Sequence, residues 1–257
     1  MGSIEILGVR VDDLTYAELL ADVDLFVASG RPHQIVTLNP EMLVAAHDDP
    51  AFRADLNAAD RNVADGVGVL LAARLLGRPL RARVTGSDGI YHLAAHCAAR
   101  GYRLYLLGAA PGVAETVAER LTALNPGLPV AGTYAGSPRP EEEEEIIGRV
   151  RAAAPDLLLV AYGVPAEEKW IARNRDRLGV PVMIGVGGAF DFVAGVAQRA
   201  PAWMRKAGLE WLHRLLKEPW RWRRQLALPR FVALMLQQWM KSSRICGYKR
   251  TKNDETR

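Results

Sequence analysis

The stretch VPVMIGVGGAFDFVAGVAQRAPAWMRKAGLEWLHRLLKEPWRWRR, Val180 to Arg224, decides how the chain is read. Its first part, Pro181 to Val186, is a run of buried-type strand residues ending in Gly187-Gly188, with an acidic Asp191 just beyond. A glycine pair directly after a parallel strand lets backbone N–H groups approach an anionic ligand closely. Its second part alternates tryptophan with arginine and lysine on segments that read as helix, a composition suited to the boundary between water and an anionic lipid surface. A ligand loop that runs straight into such a surface points to a lipid-borne substrate.

Upstream, strand-like and helix-like segments alternate. IEILGVRVDDL opens as a strand or small hairpin, and Thr15 to Ala28 reads as an amphipathic helix closed by Gly30. Gln34 to Leu38 is a β-branched strand followed by Asn39-Pro40-Glu41, where Asn39 can cap a helix and Pro40 can take its first position. Further strands are expected at Arg61–Ala64, Arg103–Leu107, Val130–Tyr134 and Leu157–Tyr162, each followed by a helical stretch. This pattern predicts an α/β fold: a Rossmann-like, mostly parallel sheet flanked by helices, with a helical C-terminal membrane-associating appendage. The expected division is an α/β catalytic domain over 1–195 and a basic, Trp-rich appendage and tail over 196–257. In such sheets ligands gather beyond the carboxyl ends of the strands, so Thr37, Asn39, Asp65, Gly108, Gly163 and Gly187 should converge on one rim.

Charge supports the same division. From Val196 onward there are 15 Lys+Arg against 4 Asp+Glu, and the preceding residues carry 18 against 25. Five of the six tryptophans, Trp203, Trp211, Trp220, Trp222 and Trp239, lie in the basic part. An acidic body with a basic, Trp-rich tail implies an anionic partner, and the apolar FVALML run favours lipid over nucleic acid. Two distant cysteines, Cys97 and Cys246, indicate a reducing compartment. No secretory signal and no run of about 18 apolar residues is visible, so the expected location is cytoplasmic, peripheral on the inner face of the membrane.

Several constellations have a plain reading beside a chemical one. Asp65, between a strand and Gly66, is by position a helix N-cap; chemically it could be a general base at the cleft rim. Thr37 and Asn39 are equally plausible as caps or as groups that bind sugar hydroxyls and orient the base. Asp22-Val23-Asp24 spells the DxD string that many nucleotide-sugar enzymes use for a metal, but inside a helix it reads as a solvated face. His92 and His96 share a helix face without a third ligand, and the five glutamates from Glu141 read as a solvated face. Arg214, Lys217, Arg221 and Arg224 would form one stripe if Pro219 did not interrupt the helix. Headgroup binding is the plain reading for them, and a contact to a leaving diphosphate the sharper one.

Five motifs carry a resemblance: TLNPEML from Thr37, ADGVGV from Ala64, RVTGSD from Arg83, IGVGGAFDFVAG from Ile184 and QRAPAWMRKAGLEWLHRLLKEPWRWRR from Gln198. Together, over about residues 4 to 235, they resemble the WecG/TagA/CpsF family, the family 26 glycosyltransferases. The resemblance implies an inverting transferase that moves a sugar of the N-acetylmannosamine or glucose type from a UDP donor onto a polyprenyl-diphosphate-linked sugar such as N-acetylglucosamine. It implies neither cofactor nor metal, and leaves the oligomeric state open, a homo-oligomer included. Carried over by motif, Asp65 matches the catalytic base, with Thr37 and Asn39 beside it. Arg83 matches a pocket arginine, Gly187, Gly188 and Asp191 the nucleotide-side loop, and Arg214, Arg221 and Arg224 the appendage residues that close over the site. Gly108 opens GAAPG, a loop that could touch phosphate or ribose. Where the family reads G-x-P-K-Q-E-K-W, this chain has GVPAEEKW, so Ala166 and Glu167 replace a lysine and a glutamine. Glu167 then either disfavours an anionic donor such as a uronic acid or keeps a sugar-hydroxyl contact. Two other classes remain open. A nicotinamide-linked oxidoreductase lacks its GxGxxG after the first strand, and a non-catalytic membrane adaptor would not need the pocket residues.

Overall fold

A computed structural model describes residues 2–254, with the side chains at 206, 221 and 243–254 outside the description. Its sheet has eight strands: β1 (Ser3–Ile6), β2 (Val9–Asp12), β3 (His33–Leu38), β4 (Arg61–Ala64), β5 (Leu104–Gly108), β6 (Val130–Tyr134), β7 (Leu157–Ala161) and β8 (Val182–Gly185). They lie in the order β1-β2-β4-β3-β8-β7-β5-β6. The β1–β2 pair is an antiparallel hairpin whose turn, Leu7-Gly8, has positive φ at both residues, matching the right-handed twist of its strands. Every other pairing is parallel.

Helices cover both faces because the strands are apolar on both sides. Leu157 and Leu159 join Leu104, Leu106, Val182 and Ile184 in a core under α1 (Tyr16–Ser29), α5 (Gly86–Arg100), α6 (Val113–Leu124) and α9 (Ala189–Val193). Leu158 and Val160, pointing the other way, pack with Tyr105, Leu107 and Met183 under α7 (Glu143–Ala153) and α8 (Ala166–Leu178). A third cluster joins the hairpin and β3 to α2 (Pro40–Asp48), α3 (Pro50–Ala58) and α4 (Val67–Leu75). The expected helix starts are present: Thr15 and Glu18 form a reciprocal capping box on α1, and Asn39 caps α2 with Pro40 in its first turn.

The basic C-terminal part consists of α10 (Ala202–Lys206), α11 (Glu210–Lys217), a 3-10 turn at Pro219–Arg221, α12 (Trp222–Gln225) and α13 (Ala227–Asp254). Pro219 does interrupt the helix, so the arginines beyond it do not continue the α11 stripe. α13 lies along α2 and buries Phe231 and Met235 in the core it shares with α2 and α3. Each such side chain contributes roughly 1.5–3 kcal/mol. Arg230 pairs with Asp48 of α2, and Gln238 accepts from the Leu7 backbone N–H (2.9 Å) and donates to the Glu5 carbonyl (3.0 Å). The last helix is thereby fastened to the first hairpin.

Two expectations fail here. The Asp22-Val23-Asp24 string is not a solvated face. Asp22 is 1 % exposed and takes a two-pronged contact from Arg61 (2.6 and 3.2 Å), while Asp24 accepts from His96, Arg100 and Tyr102. Both carboxylates join α1 to its neighbours, which the helical pattern alone could not show. The glutamate run is also not uniformly solvated, since Glu143 is buried and paired with Arg173. Removing Asp22 leaves Arg61 facing a buried, unpaired position. Asp22→Ala is expected to lose about 3 kcal/mol in urea denaturation, with turnover per folded molecule unchanged; a loss under about 0.5 kcal/mol would show the pair to be a surface contact.

Candidate active site

A cavity of about 800 Å³ opens beyond the carboxyl ends of β3, β4, β7 and β8 and is roofed by α11, α12 and the start of α13. Its size falls in the range of small-molecule sites. The sheet register places its floor. Leu38 pairs with Ala64 and Ile35 with Ile184, so the residues that follow these strands emerge on one rim. Thr37, Asn39, Asp65, Arg83, Glu167, Gly187, Gly188, Asp191, Arg214 and Arg224 all line it. The Arg221 side chain lies outside the described residues.

Gly108 does not line this cavity; Ala109 and Ala110 do. A Cβ at Gly108 would sit 2.7 Å from the carbonyl of Ala161, and its φ is +108°, so the glycine answers to strand packing. Its role is to let β5 lie close against β7.

Asp65 does not cap α4. That position is taken by Gly66 (φ +104°), without a side-chain bond. The backbone N–H of Asp65 is instead held by the Leu38 carbonyl (2.7 Å), and its Oδ2 accepts from the Gly86 N–H (3.2 Å) at the start of α5. Burial pushes this carboxyl up to about 7, against the Gly86 amide and Arg83, which lower it; Glu210 and Asp88 add to the rise. The result is a carboxylate poised near neutrality on a cavity floor.

The neighbouring groups are each partly committed. Thr37 donates to the Gly185 carbonyl (3.3 Å), which ties β3 to β8 at the rim. Asn39 uses its carboxamide oxygen to accept from Met42 N (3.0 Å), so its NH₂ is what it can offer a ligand. Arg224 forks onto Glu41 of α2 (2.7 and 3.1 Å), making it a clamp between roof and wall. Arg214 packs over the Phe192 ring and against Gly188, where a Cβ would lie 2.6 Å from its Nη2. Only glycine at 188 admits the guanidinium there.

Sequence reading missed two residues. Arg199 bonds to Asp88 (2.8 Å) and Ser87 (3.3 Å) on α5 and lies 3.6 Å from Glu210 on α11, while Glu210 itself lines the cavity. Arg199 thus fastens the roof to the helix whose first N–H holds Asp65. Both residues sit inside the QRAP…GLEW stretch, but nothing in their spacing reveals that α5 lies between them and Asp65. Tyr162 adds a buried hydroxyl on the opposite wall that has no partner among the described residues, its acidity suppressed by burial.

The model of the glycosyl transferase WecG/TagA/CpsF family matches residues 4–245 of the chain. The chain belongs to this family. Among relatives, the N-acetylglucosaminyldiphosphoundecaprenol N-acetyl-beta-D-mannosaminyltransferase of Bacillus spizizenii is 36% identical over 202 residues, 79% of this chain and 78% of the relative. The protein of the same name from Bacillus subtilis is 33% identical over 79% of each chain. That from Staphylococcus aureus is 31% identical over 231 residues, 89% of this chain and 90% of the relative. The cavity is accordingly the candidate active site of a glycosyltransferase.

A carboxyl raised by burial costs the fold stability only once the unfolded chain has released its proton. The penalty is absent below the ordinary value near 3.8, grows as pH rises, and is complete above about 7. Asp65→Asn is therefore expected to be more stable than the parent at pH 8 by on the order of 1–2 kcal/mol. A shift of that size in a closed site would carry about 4 kcal/mol, and water in the open cavity reduces it. The difference should vanish near pH 4 in urea denaturation; an advantage independent of pH would refute the shift.

Proposed function

We propose that this chain transfers an N-acetylmannosamine-type sugar from a UDP donor to a polyprenyl-diphosphate-linked N-acetylglucosamine, with inversion and without a metal, in the assembly of a bacterial cell-surface polymer. The observation that carries the reading is Asp65, a carboxyl at about 7 facing a cavity that also holds Arg83, Asn39 and Arg214. A base of that strength is matched to a sugar hydroxyl that becomes acidic only as it attacks. In the step, the acceptor oxygen attacks the anomeric carbon and its proton passes to Asp65. The bond to the donor phosphate breaks on the opposite side with its electron pair leaving on UDP, through a transition state of oxocarbenium character. Backbone N–H groups after β8 and the Arg214 guanidinium are the positive groups for the departing diphosphate. The acceptor and the sugar follow the names of the relatives, and the nucleotide follows the Gly187–Asp191 loop.

Membrane docking through the appendage brings the acceptor to this cavity. No helix among the described residues is long and apolar enough to cross a membrane. The C-terminal part nevertheless exposes Trp203 (65 %), Leu216, Trp220 (73 %) and Trp222, with Arg223 over the Trp222 ring, and α13 adds Val232, Leu236 and Trp239. Such a surface partitions into a headgroup layer, tryptophans first. Closing the cavity against lipid would exclude water and so suppress hydrolysis of the donor. Asp22 and Asp24 of the DxD string are engaged in ion pairs with Arg61 and Arg100. Among the described residues no three His, Cys, Asp or Glu side chains gather to hold an ion.

A panel of UDP-sugars offered with a short-chain polyprenyl-diphosphate-N-acetylglucosamine, scored by the mass of the lipid product, should show addition of one N-acetylhexosamine, undiminished by EDTA. No product from any UDP-sugar would remove the reading. Asp65→Ala should lower turnover at least 100-fold while UDP affinity stays within about threefold, and parent kcat/KM should fall with one proton below a pH of about 7. Near-normal turnover by the variant would take the base role from Asp65. Replacing Trp203, Trp220 and Trp222 together by alanine should weaken binding to anionic vesicles about tenfold or more with Tm unchanged; unaltered vesicle binding would sink the docking surface.

A further inference from the structure

Two adjacent carboxyls at the start of α8 are buried where the described ion pairs supply no cation. Glu167 and Glu168 are each 1 % exposed, and among the described residues no ion pair reaches either. Both press on one strand residue: a Cβ at Gly185 would lie 2.6 Å from Glu168 Oε1 and 3.2 Å from Glu167 Oε1. Their fates then differ. Glu167 lines the cavity and its Oε2 accepts from the Gly163 N–H (2.9 Å), with Oε1 close under Gly187. Glu168 lines none of it, and no N–H or hydroxyl of another described residue reaches either of its carboxyl oxygens.

The groups around the pair do not resolve this. Lys169, next on the helix, turns to α3 and bonds Asp49 (2.6 Å), with Asp55 beyond it. From β3, Gln34 gives its NH₂ to the Glu168 backbone carbonyl and not to the carboxyl. From α7, Glu143 is taken by Arg173. Across the cavity Arg224 is held by Glu41, and Arg214 lies near Glu218 (3.5 Å). The remaining partner for Glu168 is the carboxyl of Glu167, and two carboxylates cannot bond without a proton. Burial raises both acids, and the charge of Glu168 raises Glu167 further. Glu167 accepts from the Gly163 amide while no N–H or hydroxyl of another described residue reaches the Glu168 carboxyl, and this geometry places the charge on Glu167 and the proton on Glu168.

We propose that Glu167 and Glu168 are an acid–carboxylate pair sharing one proton at neutral pH, in which Glu168 positions Glu167 to present a single negative charge to the donor half of the cavity. The pair selects donors whose sugar is neutral and offers hydroxyl or amide donors, and rejects sugars that carry a carboxylate. This selection rests on the glycosyltransfer reading; the shared proton does not. Glu167 is the specificity residue and Glu168 its positioning residue.

The test uses the full chain carrying ¹³Cδ-glutamate, a label that leaves Asp65 silent. NMR at pH 7 should show one glutamate carboxyl still protonated, far above the ordinary range near pH 4. That signal should disappear in Glu168→Gln, whose amide still donates to Glu167, and persist in Glu167→Gln, where Glu168 stays buried. If every glutamate of the parent titrates in the ordinary range, the pair does not exist; this holds even if neither variant folds. For selection, kcat/KM of the parent should favour a UDP-N-acetylhexosamine over its uronic acid by about tenfold or more, and Glu167→Gln should shrink that ratio at least threefold. Equal use of both donors by the parent would overturn the selection. A chain that transfers no sugar would overturn the transferase reading while the carboxyl signal still decides the pair.

Discussion

The hydrogen bond from the Gly86 N–H to Asp65 is the contact on which the site depends. It joins the end of β4 to the start of α5, and among the described residues it is the one backbone donor to a carboxylate that burial would otherwise protonate. Were there two or three such donors, the carboxyl would sit well below neutrality. Were there none, it would hold its proton. Burial, opposed chiefly by this amide and by Arg83, places it at about 7, and the surrounding architecture serves to hold that balance.

The roof enters the same balance. Arg199 reaches from the appendage to Asp88 and Ser87, two and one residues beyond Gly86, and keeps Glu210 over the cavity. The negative charge of Glu210 raises Asp65, so the segment with the exposed tryptophans also tunes the group at the floor. Arg224 on Glu41 and the burial of Phe231 and Met235 fix the roof to α2. The C-terminal part is therefore joined to the catalytic body by core packing as well as by charge, more intimately than its composition suggests.

Much of this was legible in the sequence. Alternating strands and helices, Asn39-Pro40, Thr85 and the glycines after strands announce a parallel sheet with ligand residues on its carboxyl rim, and the rim assembles Thr37, Asn39 and Asp65 as expected. What spacing could not convey was partnership across the chain. Asp22 reads as solvent-facing because its helix gives no sign of Arg61 on β4. Asp65 reads as a cap because nothing shows that Gly66 takes that role. Gly108 reads as a ligand loop because strand packing and phosphate approach demand glycine for the same reason, absence of a side chain. Glu167 was visible as a departure from the family, but the burial of Glu168 beside it required the fold.

The bonds from Gln238 to Glu5 and Leu7 bear on how the molecule comes into being. They tie the β1–β2 hairpin to α13, which also supplies part of the core against α2. Sheet and helices between them can form as they emerge, but the hairpin edge and the cavity roof must wait until α13 has been made. A partly made chain thus carries a half-built cavity with no roof, and the cavity is completed only when α11, α12 and α13 pack onto the sheet and α2.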